Sequence, residues 1–64
     1  MFNKQLVEDY IKANGLTREE FAERCGMSLK VLNRVMAGTE RLWMAKVVRI
    51  GEVIGVTPNE LLLR

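Results

Sequence analysis

The side chains best suited to chemistry lie close together, at Leu29, Lys30, Asn33 and Arg34, and their chemistry is recognition rather than catalysis. If residues 28–37 coil as a helix, Ser28, Leu32, Val35 and Met36 share one face, and Lys30 and Arg34 point nearly opposite. Asn33 and Leu29 fall on one flank and Val31 on the other. The outer side then offers a long cation, a fork-shaped cation, an amide and two apolar groups. Arginine can bond guanine O6 and N7 with both arms, asparagine can pair with the adenine edge, and lysine can take guanine or phosphate. Leu29 or Val31 can touch a thymine methyl. The plain alternative is an ordinary solvated helix face, and the pattern of the preceding residues decides between the two.

That pattern is a tight turn. Ala22 lies four positions before Gly26, and Leu32 and Val35 follow six and nine positions after it. A chain turning sharply between two steeply crossed helices needs a small residue for close approach, a cheap positive φ and an apolar pair to hold the second helix down. Residues 17–36 therefore read as a helix-turn-helix that presents the outside of its second helix to a partner.

The remaining helices are placed by their stripes and caps. A first helix runs from about Lys4 to Ala13, with Asn3 as the cap and Leu6, Val7, Tyr10 and Ile11 as its apolar stripe, and it stops at Asn14-Gly15. Thr17-Arg-Glu-Glu20 is a capping box opening a second helix that reaches about Cys25 and buries Phe21, Ala22 and Cys25. Ser28 caps the third, which ends near Ala37 with Gly38 beyond it. After a loop over 39–42, a fourth helix covers about Met44 to Ile54. It is apolar on most sides, so it reads as the central helix, with Gly51 admitting a neighbour at close range. Gly55 ends it, and Thr57-Pro-Asn-Glu60 opens a short fifth helix carrying Leu61 to Leu63. Period-two alternation is nowhere sustained, so the expected class is all-α: five helices in one domain over residues 1–64.

Composition narrows the function classes. A chain of 64 residues, 48% apolar, is near the lower limit for folding without staples, yet too apolar for disorder. One cysteine excludes a disulfide framework and points to a reducing, cytoplasmic setting. The absence of histidine removes the usual general base and the commonest metal ligand. No apolar run approaches the roughly 20 residues of a membrane span. No enzyme site, cofactor, metal or small-molecule substrate is expected, and no membrane partner. The net charge of +2 is modest, but its distribution is not even. Residues 1–23 hold three bases against five acids, and residues 24–49 hold six bases against Glu40 alone. The basic part starts at the turn, which favours a polyanionic partner.

Several residues carry two readings. Trp43 can bond a phosphate through its indole N–H or pack over the loop as a lid, and packing is preferred for its area. Cys25 sits where the turn wants an apolar plug, so it reads as a buried, inert thiol. Glu19, Glu20 and Glu23 have capping, dipole and solvent roles and no further ligands for a metal. Met27, Met36 and Met44 read as core filler. Arg41, Lys46 and Arg49 are either solvated or in contact with phosphate. Leu61 closes the core, whereas Leu62 and Leu63 exceed what so small a core needs and are assigned to a dimer interface.

With turn and helices placed, the chain resembles the Cro and phage-repressor type of helix-turn-helix domain, the XRE family with the λ repressor-like fold. Leu16-Thr17, Phe21-Ala22, Gly26, Ser28, Leu32, Gly38, Ile50, Gly55-Val56 and Pro58-Asn-Glu-Leu61 carry the resemblance, which spans practically the whole chain. It implies a sequence-specific regulator whose third helix enters the major groove of double-stranded DNA, usually as a two-fold pair. The positions matching the base readers are Leu29, Lys30, Asn33 and Arg34. Arg18 with the capped amides beside Thr17, the Ser28 cap, and Arg41, Trp43 and Lys46 match the regions that hold phosphates. The chain departs from the family at Trp43, where a capping serine or threonine is common, and at Leu29 and Lys30, where glutamine is frequent. A protein-interaction module on the same fold, antitoxin-like or a co-regulator, is the competing expectation, using the fifth helix and the leucine tail.

Overall fold

Each helix begins and ends where local chemistry allows it, in a computed structural model that describes residues 2–62. The elements are α1 (Lys4–Ala13), α2 (Arg18–Arg24), α3 (Leu29–Ala37), α4 (Trp43–Ile54) and α5 (Pro58–Leu61). The Thr17 hydroxyl accepts the Glu20 amide at 3.1 Å while the Glu20 carboxylate accepts the Thr17 amide at 2.9 Å, so both limbs of the first capping box form. The Ser28 hydroxyl accepts the Val31 amide at 3.2 Å and starts α3. The second box is also present, and there Glu60 receives the Thr57 amide at 2.8 Å and the Thr57 hydroxyl at 3.2 Å.

Two expected starts differ. Asn3 precedes α1 but makes no side-chain cap bond. Its amide instead donates to the Leu61 carbonyl at 2.7 Å, which ties the front of the chain to the end of α5. Helix α4 begins at Trp43, one residue earlier than expected, behind Leu42, and no side chain caps it.

The core is Phe2, Val7, Phe21, Ala22, Cys25, Leu32, Val35, Met36, Val47, Ile50 and Leu61. Phe21 is fully buried and receives Tyr10 in an edge-on aromatic contact, centroids 5.6 Å apart. Phe2 is the unforeseen member. It pairs with Leu62 in an isolated antiparallel bridge and is 2% exposed. Gly51 is buried, and a Cβ there would stand 2.8 Å from the Val56 carbonyl oxygen, so the close approach read from the sequence is made by the chain's own α4–α5 turn.

Two expectations about α4 are corrected. Met44 is not core filler: it is 49% exposed, and Val48 beside it is 40% exposed. Only Val47, Ile50 and Gly51 of α4 are buried. Too few elements surround the helix to cover an apolar surface that wide, so one flank faces solvent.

Candidate nucleic-acid interface

The α2–α3 turn sets the direction of the presenting helix. Gly26 takes φ +71°, a conformation costly for a side-chain-bearing residue, and the next amide, of Met27, bonds back to the Ala22 carbonyl at 3.0 Å. Arg49 reaches across from α4 and donates from Nε to the Cys25 carbonyl at 3.4 Å, while pairing loosely with Glu52 at 3.9 Å. Neither a solvated end nor a phosphate contact alone describes it, because its guanidinium Nε braces the turn. Cys25 is buried as the plug, and burial pushes its thiol up to about 11, with the Arg49 charge pulling the other way. At neutral pH it is a protonated, unreactive group.

Helix α3 divides as its spacing requires. Leu32 and Val35 are fully buried and Met36 nearly so, while Lys30, Asn33 and Arg34 are exposed. Leu29 and Val31 are half-buried on the flanks. Among the described residues the ion pairs are Arg18–Glu8 and Arg49–Glu52, so neither Lys30 nor Arg34 is engaged by an acid. Leu29 has a second role. With Thr17, Met27 and Ser28 it lines an open cleft of about 440 Å³ whose other wall is Glu19, Glu20 and Glu23. The sequence places these carboxylates on α2, but their gathering opposite the first turn of α3 comes from the crossing of the two helices.

The residues assigned to phosphate divide three ways. Thr17 and Ser28 use hydroxyl lone pairs as caps, which leaves each O–H free to donate. Arg41 is exposed and Lys46 half-buried at the start of α4. Arg18 is already paired: its guanidinium contacts one Glu8 carboxylate oxygen at 2.5 Å, with the two side chains 49% and 41% exposed. Trp43 needs correction. Its indole N–H donates to the Val35 carbonyl at 2.7 Å, so the one hydrogen it could give a phosphate is spent inside the fold. The preferred reading, packing over the loop, is the one the geometry supports. Leu62 is half-buried, packed on the core beside its bridge to Phe2, and Leu63 lies outside the described residues. The large apolar side chains left exposed are instead Leu42 at 67%, Met44 and Val48.

No helix of the described residues is long and apolar enough to cross a membrane. Comparison with curated proteins and with solved structures gives no match. A family model described as helix-turn-helix matches residues 7–61, from α1 to the end of α5. An all-helical chain whose exposed α3 follows so short a turn, matched over nearly its whole length, belongs to the Cro/C1-type helix-turn-helix family of DNA-binding proteins, the XRE family.

Proposed function

We propose that this protein is a sequence-specific transcriptional regulator that lays α3 in the major groove of double-stranded DNA. Leu29, Lys30, Asn33 and Arg34 read base edges, with Arg34 taking guanine and Asn33 adenine. Arg18, Thr17, Ser28, Arg41 and Lys46 hold backbone phosphates. Two copies bind a two-fold site with half-sites about one helical turn apart. Leu62 and Leu63 are proposed to take part in the contact between copies.

One observation carries this reading: Lys30 and Arg34 stand exposed and, among the described residues, unengaged by acids, opposite a fully buried Leu32 and Val35. Cations placed so are available to a groove without any rearrangement of the core. Selection of preferred duplexes from a random library tests it, with recovery of a two-fold symmetric consensus as the expected result. On that site Arg34→Ala costs about 1–3 kcal/mol at one base position. With on the order of six phosphates neutralised, log K falls against log salt with a slope near −5. An Arg34→Ala protein indistinguishable from the parent would refute the docking.

A second reading has its own support. Leu42, Met44 and Val48 expose apolar surface that a lone domain has no use for, which favours a protein partner, as in an antitoxin-like or co-regulator module. Weak, salt-insensitive binding to every duplex would favour that reading over the first.

A further inference from the structure

The Arg18–Glu8 pair is the one ion pair between helices among the described residues, and it occupies the cation assigned to the DNA backbone at the front of α2. Its geometry is that of a contact easily exchanged. One guanidinium nitrogen meets one carboxylate oxygen, at 2.5 Å, and both side chains are close to half exposed. Exposed pairs of this kind contribute little, because solvent screens the attraction and two long side chains lose freedom in holding it. A phosphodiester carries the same charge as the carboxylate, offers two non-bridging oxygens to the guanidinium fork, and gains further from the counterions it releases.

We propose that the Glu8 carboxylate is a stand-in for DNA phosphate on Arg18, and that it sets how tightly this chain holds duplex of any sequence. Free protein keeps Arg18 on Glu8, and DNA binding transfers the guanidinium from carboxylate to phosphate. Breaking the Arg18–Glu8 pair offsets part of what the phosphate contact gains, so every duplex is held more weakly than an unpaired Arg18 would hold it. The base-reading face is not involved, since Lys30, Asn33 and Arg34 lie on a different helix. The inference rests on the DNA-binding reading above, and its readout is separate from base preference.

The test is a double-mutant cycle of Glu8→Gln and Arg18→Ala, read by fluorescence anisotropy on the selected duplex and on a scrambled one across a salt series. Glu8→Gln is expected to bind both duplexes about twofold to fivefold more tightly, with their ratio unchanged and the gain shrinking as salt rises. In the Arg18→Ala background that gain is expected to vanish. Weaker or unchanged binding by Glu8→Gln would overturn the proposal, as would an equal gain with and without Arg18, which would mark a general field effect. If Arg18→Ala binds both duplexes like the parent, Arg18 touches no phosphate and this inference fails while the role of Arg34 stands. If the parent binds no duplex, the DNA-binding reading falls and takes this inference with it.

Discussion

The turn between α2 and α3 and the loop between α3 and α4 begin alike and end differently. Each opens on a left-handed glycine, and the next amide folds back to the carbonyl of the residue four before that glycine: Met27 to Ala22 at 3.0 Å, Thr39 to Arg34 at 2.9 Å. After Gly26 come half-buried Met27 and the capping Ser28. After Gly38 come Thr39, Glu40, Arg41 and Leu42, and no side chain caps α4. The turn thus carries its own cap, and Arg49 braces it from α4. The loop carries none and is closed by the residue that follows it, the Trp43 indole donating to the Val35 carbonyl at 2.7 Å. That carbonyl also receives the Gly38 amide at 3.0 Å, so both its lone pairs are used at the end of the presenting helix.

The compact plan recurs twice more, in Gly15-Leu16-Thr17 and Gly55-Val56-Thr57, with Leu16 bonding back to Ile11 at 3.0 Å and Val56 to Gly51 at 2.9 Å. What varies is the residue four places before the glycine: Ile11, Ala22 and Gly51. A smaller side chain there leaves the next segment room to come closer, and at Gly51 there is no room for even a methyl group. Compact turns that end on a capping serine or threonine, three in all, thus stand beside a single longer connection closed by an indole.

The sharpest way to break this comparison is Gly51→Ala. The added carbon meets backbone at 2.8 Å, and overpacking of about 1–3 kcal/mol outweighs the gain of roughly 1 kcal/mol in helix propensity. Denaturant unfolding should show net destabilisation, and a protein as stable as the parent would remove the grading argument. Next comes Ser28→Ala, which takes the cap from the compact turn and should cost about 0.5–2 kcal/mol. Hydrogen exchange should locate the loss at the first turn of α3 if the turn is local in origin. Trp43→Phe keeps most of the packing and removes the N–H, at about 0.5–1.5 kcal/mol. Its salt slope for DNA should match that of the parent, and a shallower slope would restore a phosphate role to the indole. The smallest effect is expected from Met44→Gln, within about 0.5 kcal/mol on stability, because that side chain is already half in water. A large loss of stability that deepens as protein concentration falls would show instead that a second copy covers that face.

Much of the fold was legible because its signals are short-range. Thr17 with Glu20, Ser28, Gly26 and the Leu32–Val35 pair each act over a few residues, and each does in the structure what its spacing requires. The outward direction of Lys30 and Arg34 followed from the same spacing. Phe2 was illegible: nothing around it marks a core residue, and its burial depends on α5, which reaches it from the far end of the chain. The exposed flank of α4 misled for the opposite reason. Met44 and Val48 have the composition of a central helix, but burial needs a covering element, and none of the described helices lies over them. The Arg18–Glu8 pair and the acid-lined cleft beside Leu29 are likewise products of how α1, α2 and α3 cross.

Residue order alone decided where α2, α3 and α5 start, where the first four helices stop and which face of α3 turns outward, since caps, left-handed glycines and a 3.6-residue period act within one or two turns of chain. Tertiary packing alone decided that Trp43 spends its hydrogen inside the fold, that Arg18 rests on Glu8, and that Phe2 pairs with Leu62. Those outcomes depend on how separate helices settle against one another, and no cap, glycine or period within a single helix carries them.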